Sequence, residues 1–205
     1  MAANNCNSYL LEGEARILID PGHAHFFGHV ESGLRQLGLN VVDVDLVIAT
    51  HAHPDHVEAV RLFKDSPTLF AMHQTDWQLL DQMSKSLGST MDTDAYLPSF
   101  FLDRGQLTVK DISLEIFHTP GHSPGSISIY WPQKRALFTG DVLFKDGLGR
   151  TDLPGGDGDA LKQSIRELAS LDVEWLCPGH GDIISGGGRV RNNFQRVEEF
   201  WFAYI

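Results

Sequence analysis

The sequence predicts an α/β protein in which sheets are covered by helices, and three observations carry that prediction. Short apolar runs rich in β-branched residues alternate with amphipathic segments along the whole chain. With 205 residues, 42% of them hydrophobic and 21% charged, the composition is that of a globular protein. A chain of this size buries roughly 70% of its unfolded surface, enough for a core without staples. No Pro- or Ser-rich linker, low-complexity tract or solenoid-length repeat interrupts the sequence, so a single domain over residues 1–205 is expected.

The elements follow in order. Ser8–Leu11 and Ala15–Ile19, parted by Glu12-Gly13-Glu14, read as an opening hairpin. Pro21-Gly22 breaks the second strand, and His25 to Leu37 reads as a helix ended by Gly38. Val44–Ala49 is a buried strand, and Asp55 to Phe63 a helix with Val57, Val60, Leu62 and Phe63 on its apolar side. Thr68–Met72 is a strand and Thr75 to Leu87 a helix ended by Gly88. From Ser89 to Arg104 the pattern lapses into an irregular stretch, a candidate lid or substrate loop. Leu107–Val109, Leu114–Phe117, Ile127–Trp131 and Ala136–Thr139 are successive strands, Asp159 to Leu168 a helix and Trp175–Cys177 a short strand. Val190 to Phe202 forms a terminal helix. Its aromatic end, Phe200 to Ile205, is expected to pack against a sheet, an oligomer contact being the alternative.

Charge and targeting signals narrow the function. Sixteen Lys and Arg against 27 Asp and Glu leave a formal charge of −11, which argues against sequence-independent nucleic-acid binding. No apolar run approaches the roughly 20 residues that span a bilayer. The opening Met1–Cys6 lacks the basic and apolar regions of a secretory signal. Cys6 and Cys177 are expected to be reduced thiols in a cytoplasmic protein.

The chemistry is concentrated in the ten histidines. After the strand Val44–Ala49 comes Thr50-His51-Ala52-His53-Pro54-Asp55-His56. Imidazoles and a carboxylate are ligands suited to zinc, iron or manganese. A strand end followed by a turn and a helix start is where α/β proteins place ligand-binding groups. His51 and His53 share a face if the strand geometry continues, and Pro54 lets Asp55 and His56 swing back towards the same point. Three further turns each offer a donor after a strand: His122 in His118-Thr119-Pro120-Gly121-His122, Asp141 in Thr139-Gly140-Asp141, and His180 in Cys177-Pro178-Gly179-His180.

The order His51-x-His53-x-Asp55-His56, His122, Asp141, His180 resembles the five metal-binding motifs of the metallo-β-lactamase superfamily, and Asn7-Ser8-Tyr9-Leu10 and Ile19-Asp20-Pro21-Gly22 match its usual opening. The resemblance implies a four-layer αβ/βα sandwich with a binuclear site. His51, His53 and His122 would hold one metal; Asp55, His56 and His180 the second; Asp141 would bridge both. Two divalent ions are implied, zinc in the first place, with iron or manganese as alternatives. Lys145 to Asp157 resembles the corresponding stretch of short glyoxalase II-like hydrolases, whose reference substrate is hydroxyacylglutathione. That likeness implies thioester hydrolysis by attack of a metal-bridging hydroxide on the acyl carbon, with Asp55 orienting the hydroxide. The helical C-terminal domain that binds glutathione in full-length glyoxalase II is expected to be absent, since 25 residues follow His180. A mononuclear iron persulfide dioxygenase and a lactonase are the alternatives within the same superfamily.

Other polar residues have plainer expectations. His23-Ala24-His25 repeats the His-x-His spacing, but no carboxylate follows in register and the rings would diverge by roughly 200° on a helix, so no separate metal site is expected there. His23, Arg150 and Arg189 are candidate substrate contacts, and Arg191 and Arg196 could add charge for a thiol carrier. Asp20 is expected to be a structural acid at its strand end, and Cys177 a small buried residue beneath the site. His29, His73 and His118 are expected to be structural or exposed. The expected partner is a small-molecule thioester, with neither nucleic acid nor membrane; the oligomeric state is left open.

Overall fold

Tyr9–Glu12 (β1) and Arg16–Ile19 (β2) form the expected antiparallel hairpin, with Tyr9 opposite Ile19. The computed structural model describes residues 5–86 and 93–205, and divides into two units: Met1–Leu102 with Val109–Ile112, and Asp103–Thr108 with Ser113–Ile205.

In the first unit the chain continues through α1 (Gly28–Gln36), β3 (Leu46–Ile48), α2 (Pro54–Val57), β4 (Leu69–His73), α3 (Gln74–Ser86) and β5 (Phe100–Leu102). The sheet order is β1-β2-β3-β4-β5, antiparallel at the hairpin and parallel from β2 onward. Parallel strands buried on both faces read as unbroken apolar runs rather than alternating ones, and Leu46-Val47-Ile48 is buried at every position. Leu18, Val47 and Met72 pack with Val30 and Leu34 of α1, Val57 of α2 and Leu80 of α3. Each such side chain contributes about 1.5–3 kcal/mol on burial. Pro54 opens α2 at its first turn, where its missing N–H costs nothing. The helix expected over Asp55–Phe63 is α2 followed by a 3-10 helix at Glu58–Phe63.

The stretch from Ser89 to Arg104 is only partly irregular. Residues 89–92 lie outside the described ones, Thr93–Tyr96 forms a 3-10 turn, and β5 pairs with β4, Met72 opposite Phe101. A strand of three residues behind a proline is too short to give a periodic signal. Leu87 and Gly88, the expected end of the third helix, also lie outside the described residues.

The second unit holds most of β6 (Gly105–Val109) and β7 (Ile112–His118), then β8 (Ile127–Trp131), β9 (Ala136–Gly140), the small hairpin β10 (Leu143–Phe144) and β11 (Gly147–Leu148), α4 (Gly158–Leu168), β12 (Trp175–Pro178), β13 (Ile184–Ser185) and α5 (Gly187–Trp201). Its sheet runs β13-β12-β9-β8-β7-β6, parallel between β12 and β9 and antiparallel at β13–β12, β9–β8 and β8–β7. Leu137 and Leu176 of the sheet pack with Leu161 and Ile165 of α4 and Val190 and Val197 of α5. Asp157 caps α4 by accepting from Ala160 N at 3.0 Å.

The aromatic end of α5 departs from expectation. Phe202 and Ile205 pack partly against this core, but Phe200, Trp201 and Tyr204 are 62%, 43% and 80% exposed. The buried stripe of α5 runs Val190, Asn193, Phe194, Val197, and Trp201 instead donates from Nε1 to the Asp146 carbonyl at 2.8 Å. Asn193 uses both ends of its amide, accepting from Asp146 N at 2.8 Å and donating to the Phe144 carbonyl at 2.9 Å. The terminal helix thereby clamps the loop that leads to Arg150.

Both cysteines are buried thiols, and Cys6 Sγ donates to the Asp20 carbonyl at 3.6 Å. Burial pushes the Cys177 thiol up to about 12. At pH 8 roughly one molecule in 10,000 carries the thiolate, the form that reacts. Iodoacetamide at pH 8 is expected to spare Cys177 in the native protein and to label it in denaturant, read by peptide mass mapping.

Candidate metal centre

In the first unit Asp20, Thr50 and Asp76 lie just beyond the carboxyl ends of the adjacent parallel strands β2, β3 and β4, and together they fix the histidine segment. Asp20 is 2% exposed and accepts from Thr50 N at 2.7 Å, from Thr50 Oγ1 at 2.8 Å and from His56 Nδ1 at 2.9 Å. An ionised carboxylate only accepts, so His56 carries its proton on Nδ1 and turns the lone pair of Nε2 outward. The Thr50 hydroxyl donates its one hydrogen to Asp20, so its oxygen accepts from His51 Nδ1 at 3.1 Å, leaving His51 in the same tautomer. Metal-binding histidines are held in this manner, with the far ring nitrogen tied to an acceptor. The His51 ring centroid lies 4.8 Å from that of His53 and 4.1 Å from that of His56, and His56 Nε2 lies 3.9 Å from Asp55 Oδ2. The backbone between the two histidines is anchored by Asp76, fully buried, which accepts from Ala52 N at 2.7 Å. An apolar cavity of about 260 Å³ opens beside His53, walled by Ala52, Val57, Leu80, Met83 and Tyr96.

The second unit brings together the other three candidates. His122 Nδ1 lies 2.8 Å from the Arg150 carbonyl, which only accepts, so Nδ1 donates and Nε2 is the basic nitrogen. Asp141 Oδ2 stands 3.6 Å from His122 Nε2 and 3.6 Å from His180 Nε2. Those separations are too long for hydrogen bonds and suit donors sharing a cation at about 2.0–2.2 Å from each. Gly149 passes close behind: a Cβ there would overlap the Asp141 carbonyl oxygen and reach 3.0 Å from His122 Nδ1. Gly149→Ala is therefore expected to destabilise by at least about 1–3 kcal/mol and to lower metal content. Urea unfolding and metal analysis read both effects.

The donor sets fit divalent metals by their chemistry. Neutral imidazoles with basic Nε2 atoms, plus carboxylates at Asp55 and Asp141, are the nitrogen and oxygen ligands of zinc, iron and manganese sites. Thr50, Asp76 and the Arg150 carbonyl escape sequence reading. Only Asp76, a charge on the buried side of α3, leaves a signal there.

The remaining candidates divide. Arg150 is exposed, and its guanidinium is engaged by Asp152 at 2.7 Å through both Nε and Nη2; this pairing pulls the Asp152 carboxyl down to about 2. Arg189 donates to Ser185 Oγ at 3.1 Å, and Arg196 lies 3.3 Å from Asp146. His29, His73 and His118 each engage nearby backbone. At His23 and His25 the helical-divergence argument fails: their ring centroids are 5.0 Å apart, and Glu58 supplies the carboxylate that the local sequence lacks.

The fold and donor pattern define a metallo-hydrolase class, and the comparisons agree. The family model of the metallo-beta-lactamase superfamily matches residues 1–180, and the chain belongs to that superfamily and has its fold. It is 36% identical over 200 residues to the "Probable metallo-hydrolase MJ0888" of Methanocaldococcus jannaschii, covering 93% of each chain. It is 32% identical to "Hydroxyacylglutathione hydrolase GloC" of Haemophilus influenzae, covering 92% of this chain and 91% of that one. The solved structure titled "TTHA1623 in a di-iron-bound form" is 34% identical with a TM-score of 0.74, covering 92% and 93% of the two chains. Among the described residues no helix is long and apolar enough to cross a membrane.

Proposed function

We propose that this chain is a binuclear metallo-hydrolase of thioesters of the hydroxyacylglutathione type. In this reading residues 1–205 are a single metallo-β-lactamase-fold domain. His51, His53 and His122 would hold one ion and Asp55, His56 and His180 the other, with Asp141 shared between them. The placement of Asp141 Oδ2 at 3.6 Å from two histidine nitrogens carries the reading, since one carboxylate between two imidazoles is what a bridging ligand requires. Zinc is the first choice of metal; the di-iron form of a relative supports iron, and manganese suits the same donors.

Bound divalent ions lower the pKa of water from roughly 15.7 to about 7 and polarise a carbonyl. The chain's own residues then set the geometry. Asp20 and the Arg150 carbonyl keep their histidines in the metal-binding tautomer. Asp55, 3.9 Å from His56 Nε2, would orient the attacking hydroxide. The apolar cavity beside His53 takes the acyl group. His23, Arg150 and Arg189 are the candidates for the thiol carrier, and two cysteines left as thiols suit the cytoplasm.

Thiol release from S-D-lactoylglutathione, with oxygen excluded, tests this. Release should vanish with a chelator and return with zinc or manganese. No release by the metal-loaded protein would sink the thioesterase reading. Oxygen consumption with glutathione persulfide would then identify a dioxygenase, and lactone opening a lactonase.

A further inference from the structure

We propose that His23, His25 and Glu58 form an additional divalent transition-metal site, built for zinc or a metal of similar softness and using none of the seven ligands above. One donor atom from each of the three side chains lies within 4.8 Å of the others. Glu58 Oε2 stands 2.9 Å from His23 Nδ1 and 3.9 Å from His25 Nδ1. Donors bound at about 2.0–2.2 Å around a tetrahedral ion stand roughly 3.4 Å apart, so each of the two histidine–Glu58 pairs needs to move by only about half an ångström.

An ordinary ion pair accounts for less of this. A hydrogen bond between His23 and Glu58 explains the shorter distance, but not why the exposed His25 ring turns towards the same carboxylate oxygen. The other oxygen, Oε1, faces Arg61 Nη2 at 3.9 Å, so the two oxygens divide between a cation and the imidazoles. The approach of the rings has a backbone cause. His23 precedes a 3-10 turn at Ala24–Phe26 in an extended conformation, φ −68° and ψ 140°, and this defeats the divergence of helical neighbours two apart.

The cluster is held together before any ion arrives. His23 N donates to Asn5 Oδ1 at 2.8 Å and Ala24 N to Glu58 Oε2 at 3.1 Å, while Ala59 N donates to the Gly22 carbonyl at 2.8 Å. The loop after β2 and the 3-10 helix after α2 are thus already joined, and binding orders little further. Two imidazoles and a carboxylate select zinc, nickel or copper over magnesium and calcium, which prefer all-oxygen sites. Three protein ligands leave a coordination position open, and side-chain exposures of 19% for His23, 57% for His25 and 28% for Glu58 make the ion exchangeable. Occupancy would tie the loop after β2 to the segment that follows His56.

The test counts metal. Holoenzyme and its His25→Ala variant are dialysed against micromolar free zinc, and bound zinc per chain is measured. The expected result is one equivalent less in His25→Ala, with every other equivalent kept, and unchanged stoichiometry in His29→Ala. Because the readout is a difference between proteins, it holds whatever number of ions the main site carries. Glu58→Gln should weaken the same equivalent by tenfold or more in a titration with zinc alone. Equal zinc in wild type and His25→Ala, or equal loss in His29→Ala, would overturn the proposal.

Discussion

Asp141→Ala protein is expected to lose at least one metal per chain and more than 100-fold of its activity. Substitutions of residues that merely orient a ligand cost about 10–100-fold, and a carboxylate placed between two ligand nitrogens should cost more. The side chain is only slightly exposed, and Asp141 Oδ2 is equidistant from His122 Nε2 and His180 Nε2 at 3.6 Å. Without it the imidazoles face the bound charge with no shared anion. Asp141→Asn separates charge from shape, since it keeps an oxygen donor of the same size but no negative charge; its metal content should also fall. The rise in Tm that metal gives the wild type should shrink in both variants, because a ligand that binds only the native state stabilises it by mass action. Metal analysis, melting with and without chelator, and thiol release supply the three readouts. Full metal and full activity in Asp141→Ala would remove Asp141 from the ligand set.

The strands and helices that carry donors were legible because each pairs a strong apolar run with an abrupt break. Val44–Ala49 before His51 and Ala136–Thr139 before Asp141 are the clearest cases. What the sequence hid depends on contacts between distant segments. Glu58 meets His23 across 35 positions, and Arg150 meets His122 across 28; no local spacing announces either. Around His23 and His25 the chain offers no carboxylate in register, and α-helical directions would part their rings. The structure supplies the carboxylate from another element and a 3-10 turn in place of the helix. The exposed Phe200, Trp201 and Tyr204 teach the converse: apolar character alone does not bury a segment that outruns the sheet it lies on. Asp20 was legible as an acid at a strand end, but its reach to Thr50 and His56 was not.

Asp20 should prove the most costly residue to replace for stability. It accepts three hydrogen bonds in a site 2% exposed, and a buried donor left without an acceptor costs about 1–3 kcal/mol. Its backbone φ of 52° adds strain for alanine, whereas asparagine tolerates that region. Urea unfolding of metal-free protein should therefore rank wild type above Asp20→Asn, and Asp20→Asn above Asp20→Ala, the last destabilised by about 3 kcal/mol or more. Metal affinity should follow a different order. An asparagine can accept from Thr50 N, but turns its NH2 towards His56 Nδ1, where a second donor is unwelcome. His56 relieves the clash by moving its proton to Nε2, which blocks the nitrogen meant for the ion. Asp20→Asn should thus recover part of the lost stability and none of the lost affinity, about 10–100-fold by chelator competition. Imidazole nitrogen shifts in NMR would report the tautomer directly. Wild-type affinity in Asp20→Asn would mean that the carboxylate braces the fold without governing which nitrogen of His56 is free to bind.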